Sequence, residues 1–224
     1  MLQAATDAGI QATSAGLDSL LDMILHGGPV MIPIGLCSIV SLAYIVERFI
    51  RLRKHRLGSM QQGEEVLVAV QDGGPRKGLD YCLQKDTPLT RILAAGLKMA
   101  GRPFLEVEKA VEDAGMREVK RLSANLRPLV VVAAIAPLLG LLGTVWGMIQ
   151  AFSNIAVQES LGKPELLASG ISQALITTAT GLSIAIPTQA AYFFFKSRID
   201  RFVHRVEDFY MAMNESLSNR RAAA

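Results

Sequence analysis

The chain has 224 residues, of which half are hydrophobic and 19% charged, with a formal net charge of +3. Its mean hydropathy is positive, which is high for a soluble domain of this size. So small a basic excess gives no reason to invoke nucleic acid.

The first 47 residues contain no Lys or Arg. Without a positive n-region, the start of the chain is read as retained rather than as a cleavable signal peptide. Within residues 1–26, Ile10, Leu17, Leu20, Leu21, Ile24 and Leu25 predict a short amphipathic helix lying on the outer interface. Charge is then absent between Asp22 and Glu47, and again between Arg127 and Glu159 and between Glu165 and Lys196. Each gap exceeds the roughly 20 residues that cross a hydrocarbon layer about 30 Å thick. The predicted transmembrane helices cover 27–50, 129–153 and 168–195.

Sixteen basic residues lie between Arg48 and Arg127, six follow the third span, and one, Lys163, falls in the loop between the second and third spans. Because basic residues near a span stay in the cytoplasm, the segments 51–128 and 196–224 are expected inside, and 1–26 and the loop 154–167 outside. Cys37 and Cys82 then occupy different compartments, which leaves neither a disulfide nor a metal pair.

The segment 51–128 reads as helical throughout. GEEVLVAVQD, RKGLDYCLQKD and LTRILAAGLKMA have apolar residues at helical spacing, and are separated by GGP at 73–75 and by Thr87-Pro88. A longer helix is predicted from Pro103 directly into the second span, with Leu105, Ala110, Val111, Val119 and Leu122 on its apolar side. Its charges, Glu108, Glu112, Glu118, Lys120 and Arg121, read as a solvated face. Glu47 is expected to snorkel or to pair with Arg48 or Arg51, and Trp146 to be a packing residue. No strand pattern is present, so the fold class is an all-α integral membrane protein with long cytoplasmic helical extensions.

No site for chemistry emerges. His26, His55 and His204 are far apart, GLLGTVWG lacks the lysine of a nucleotide-binding loop, and no nucleophile has an acid and base at recognisable spacing. No catalytic residue, metal or cofactor is expected, and the chain is not read as an enzyme.

What remains is a pattern of small and hydroxyl residues. In the second span Ala133, Pro137, Gly140, Thr144 and Gly147 fall on one helical face; in the third, Ala174, Thr178, Gly181, Ala185 and Thr188 do the same. Such stripes let helix backbones approach, and embedded hydroxyls supply hydrogen bonds. Spacing alone leaves two readings open: the stripes pack the helices on each other, or they face a pore. Thr177, Thr180 and Ser183 lie off the stripe and read as inter-helix contacts. Thr144 and Thr178 each lie about 26 Å from the nearest cytoplasmic charge at roughly 1.5 Å per residue, which predicts a single layer of hydroxyls.

At GGPVMIPI before IVERFIRLRK, then APLLGLLGTVWGMIQAF, then GISQALITTATGLSIAIP, the chain resembles the MotA/TolQ/ExbB proton-channel family, most closely its ExbB and TolQ branch. The resemblance implies an inner-membrane pentamer, multi-pass, with its N-terminus periplasmic and its C-terminus cytoplasmic. It further implies an ExbD- or TolR-like single-span partner carrying a membrane aspartate, which Thr144 and Thr178 would flank as pore-lining residues. Ala133, Pro137, Gly140, Gly147, Ala174, Gly181 and Ala185 would form the small-residue stripe of that pore. A TonB-like or other envelope protein would receive the work. Where the family pattern reads GIAEAL this chain has GISQAL, so Gln173 is expected to make an inter-subunit polar contact rather than to carry a proton. The alternatives are a stand-alone small-solute transporter, with Pro33, Pro137 and Pro187 as helix breaks, or a non-conducting membrane scaffold.

Overall fold

The computed structural model describes residues 28–52, 57–157 and 164–222. Helices account for nearly all of them: α1 (Met31–Arg51), α2 (Met60–Gln84), α3 (Pro88–Lys98), α4 (Phe104–Ala124), α5 (Arg127–Val157) and α6 (Pro164–Ala222). Among the described residues there is no strand. The predicted outer-interface helix within 1–26 lies outside the described residues, as do 158–163 of the predicted loop 154–167; the flanking 154–157 and 164–167 are helical and belong to α5 and α6.

Three of these helices are long and apolar enough to cross a membrane, over Met31–Arg51, Arg127–Ser153 and Leu167–Leu217. The chain divides into two units. One comprises the described residues up to Ala43 with Pro128–Ala190, and the other Tyr44–Arg127 with Ala191–Ala224.

In the second unit the turn chemistry sets the helix boundaries. Ser59 caps α2 through a capping box with Gln62, and Thr87 caps α3 in the same way with Thr90, where Pro88 takes the first turn. Inside α2 the GGP breaker acts as the sequence suggests. Gly74 sits at φ 76° and ψ −169°, a region essentially confined to glycine that costs an L side chain about 1–3 kcal/mol, and Pro75 restarts the helix beyond it. Val66, Val70, Leu89, Ile92, Leu93, Leu97, Val111, Phe202 and Met213 form one core from α2, α3, α4 and the end of α6.

Two expectations for α4 change. The helix does not continue into the second span: it ends at Ala124 with Asn125 as its C-cap, and α5 begins at Arg127. Pro128 accounts for the break, since a proline disfavours helical geometry in the residue before it and cannot donate to the preceding turn. The buried side of α4 is Val107, Val111, Ala114 and Glu118, while Leu105 is exposed. Glu118 thus belongs to the core side rather than to the solvated face. Arg91 donates to both its oxygens, at 3.1 and 2.9 Å, and Arg121 donates at 3.1 Å. That pairing makes a buried carboxylate tolerable. It also holds the Arg91 guanidinium above its ordinary pKa, chiefly through the Glu118 hydrogen bond and against the effect of burial.

At the α4–α5 joint, Arg48 is 3% exposed and donates to the carbonyl of Leu122 at 3.0 Å. That carbonyl is one of the last four of α4, which have no partner within the helix. Beside it Glu47 pairs with Arg51 at 3.0 Å, one of the pairings expected from sequence, and accepts from Asn125 at 3.3 Å.

Candidate functional site: the hydroxyl-bearing pair of apolar helices

The first unit is organised by the contact of α5 with α6. A side chain on Gly181 would meet the carbonyl oxygen of Ala136 at 2.6 Å and Gly140 Cα at 3.2 Å. Added at Gly140 it would meet Thr178 Cα at 3.0 Å, and at Gly147 the carbonyl of Gly170 at 3.1 Å. Main chain lies against main chain here, as small residues on membrane helices permit. Gly140, Gly147, Ala174 and Gly181 are buried in this seam, Ala133 and Ala185 are also buried, and Pro137 is half-buried. The structure therefore brings both stripes of small residues together within a single chain.

The hydroxyls divide by partner. Thr177 is fully buried against Gly143, which lies one position off the stripe, and donates to the carbonyl of Ala174 at 2.8 Å. Thr180, Ser183 and Thr188 donate back to the carbonyls of Ile176, Ala179 and Ile184 at 2.7–2.8 Å. Thr178 is different because it crosses the seam, donating to the Gly140 carbonyl at 3.0 Å. Thr144, one turn beyond Gly140, donates to the Leu141 carbonyl at 2.6 Å. The two threonines expected in a single layer are thus offset by about one turn, roughly 5 Å.

Thr144 also borders an open groove on α5, with Val145, Met148, Ile149 and Phe152. A second groove on α6 is lined by Ile171, Ser172, Leu175, Ile176 and Ala179. Trp146, expected to pack, is 47% exposed in the single chain. Gln173 is half-buried, and its carboxamide lies against Gly28 of the same chain. Sequence reasoning passed over Gly143 and Gly28. Gly143 stands next to Thr144 in GLLGTVWG, and Gly28 in the GGP before the first span, so both had a local signal without a visible partner.

Among the described residues, no group of three His, Cys, Asp or Glu side chains is placed to hold a metal ion. What the site offers is an uncharged, hydroxyl-bearing surface on closely packed apolar helices. Such an arrangement defines a multi-span membrane protein whose polar groups lie within the bilayer, the class to which ion-conducting subunits belong. The MotA/TolQ/ExbB proton channel family model matches residues 84–208, more than half of the chain and including both threonines. The chain belongs to this family and is a proton-channel subunit of it. It is 31% identical over 190 residues to an ExbB homolog of Methanothermobacter thermautotrophicus, covering 84% of this chain and 67% of that protein. Against the biopolymer transport protein exbB1 of Vibrio cholerae it is 28% identical over 198 residues, 85% of each. Against the Tol-Pal system protein TolQ of Pseudomonas aeruginosa identity is 38% over 103 residues, but these cover only 46% of this chain and 44% of TolQ.

Proposed function

We propose that the chain is the ring-forming subunit of an inner-membrane motor driven by protons. Five copies would surround a dimer of a single-span partner, similar to ExbD or TolR, that carries an aspartate in its span. Proton flow would move the partner within the ring and deliver work to an outer-membrane transporter or envelope complex. The observation that carries this reading is the family match across 84–208, together with the complete lack of Asp, Glu, Lys, Arg and His from Pro128 to Gln158 and from Leu166 to Phe195. A chain without an acid in those spans cannot relay protons through them alone, which is why a partner carboxylate is needed.

The hydrogen bonds refine the role of the two threonines. Thr144 and Thr178 both give their hydroxyl protons to main-chain carbonyls, so they offer an incoming group only oxygen lone pairs. A protonated carboxylic acid can donate to such oxygens, whereas a carboxylate cannot. The threonines therefore favour the neutral, proton-carrying form of the partner's aspartate as it passes. The small-residue stripes serve this indirectly by fixing α5 and α6 as one wall.

Native mass spectrometry of the protein co-expressed with its chromosomal neighbour tests the assembly. Five copies retaining two of a single-span, aspartate-bearing protein are expected. A monomer or dimer that binds no such protein would overturn the reading in favour of a scaffold or a stand-alone transporter. In vesicles containing that complex, Thr144→Val and Thr178→Val should each reduce proton flux by about tenfold, the equivalent of one lost hydrogen bond to the reacting group. Thr144→Ser should retain it.

A further inference from the structure

The start of α1 and the outer part of α6 meet at one place. Gly28 sits at φ 74°, in the left-handed region, and its carbonyl accepts from the Met31 N–H at 3.1 Å, opening the first turn of α1. The space that a Cβ on Gly28 would occupy is taken by the side chain of Gln173, with the carboxamide nitrogen foremost and Cδ 3.4 Å from that position. Two independent constraints therefore fall on Gly28, its backbone angle and the Gln173 amide. Gln173 stands 23 residues before Lys196 on α6, about 34 Å along the helix at 1.5 Å per residue, which puts it at the far boundary of a hydrocarbon layer about 30 Å thick. An amide suits that position because it packs on Gly28, just before α1, without bringing a charge to the bilayer edge.

We propose that Gln173 is a positioning residue that seats the beginning of α1 on α6 within one chain, so that the first and third spans are tied together at their outer ends. Its partner is Gly28 of its own protomer and not a residue of a neighbouring copy. The seat does not depend on the motor reading. Whether it matters for proton flux does, and the two are tested separately.

A Gly28→Cys/Gln173→Cys pair in a Cys37→Ala background tests the seat in membranes, with copper phenanthroline as the oxidant that takes two electrons and two protons from the thiols. The expected product is an intramolecular disulfide, with monomer mobility on a denaturing gel and a single remaining adduct with polymer-linked maleimide, from Cys82. A dimer band, or three adducts, would overturn the proposal. Because Gly28→Cys is strained by its backbone angle, p-benzoylphenylalanine placed at position 173 provides a second test. In rings mixed from light and heavy nitrogen chains, its adducts should map to residues 28–31 of the same chain, and adducts to another chain would overturn the proposal. Hydrogen exchange reads the positioning role directly. Gln173→Ala should make the amides of Ile32 and Ile34 exchange about tenfold faster, while Gln173→Met, of similar reach, should leave them protected. Exchange in Gln173→Ala as slow as in the unaltered protein would leave Gln173 without a positioning role.

Discussion

At the scale of single residues, Glu118 shows how far burial can overrule a charge pattern. Read along the sequence it belongs to an alternation of acids and bases, yet it is 7% exposed at its side chain and is held by Arg91 and Arg121. Removing one member of a buried pair leaves the other uncompensated, which commonly costs 3–5 kcal/mol. Arg91 is 37% exposed and keeps Asp86 at 2.6 Å, so water and the second carboxylate soften the loss. Glu118→Ala should accordingly lower stability by about 2 kcal/mol in denaturant titration of the detergent-solubilised protein. Arg102→Ala, which breaks the exposed i,i+4 pair with Glu106, is the control and should cost under about 0.5 kcal/mol. The two residues look alike in sequence because composition and spacing report the helix face only to within a residue or two. Which neighbour covers that face is decided by α3, whose contribution is not local. The same limit separates Thr177 from Thr178: adjacent on the chain, one is sealed against Gly143 and the other bridges to Gly140.

At the scale of elements, the apolar spans were legible because charge is excluded from hydrocarbon over long runs, and such runs survive any error in register. The helix junction at Asn125 was less so. Its signal, Pro128, was present, but helical periodicity on both sides masked it. The stripes in α5 and α6 were visible as stripes, and only the structure assigns them to each other. Their energetics can be tested at Gly181, where the nearest obstacles to a side chain are main-chain atoms of Ala136 and Gly140 that cannot rotate away. Gly181→Ala should push the helices apart, costing about 1–3 kcal/mol of overpacking and lowering the thermal midpoint in detergent. Gly115→Ala, on α4 with open space around it, should leave stability unchanged or raise it slightly, since alanine favours a helix over glycine by up to about 1 kcal/mol.

At the scale of the whole molecule, charge distribution and helix length together make orientation a testable expectation. The 59 residues of α6 amount to about 88 Å of helix at 1.5 Å per residue, nearly three times the roughly 30 Å of a hydrocarbon core, so most of α6 must lie outside the bilayer. Its apolar part ends at Lys196, beyond which Arg198, Arg201 and Arg205 follow closely. Together with Arg220, Arg221 and the sixteen basic residues from Arg48 to Arg127, these place 22 of the 23 Lys and Arg in two segments that the positive-inside rule assigns to the cytoplasm. Orientation matters because the motor proposed above would need the α1 start and the proposed Gln173 seat on the outer side and the α2–α4 helices on the inner. In a Cys37→Ala/Cys82→Ala background, Glu215→Cys should react with a membrane-impermeant maleimide only in inverted vesicles, and Ser14→Cys only in right-side-out spheroplasts. Labelling of Glu215→Cys from outside would reverse the molecule. Protons entering down their gradient would then meet the two threonines from the wrong end of the helix pair, and the proposed delivery of work to an outer-membrane partner would fail with it.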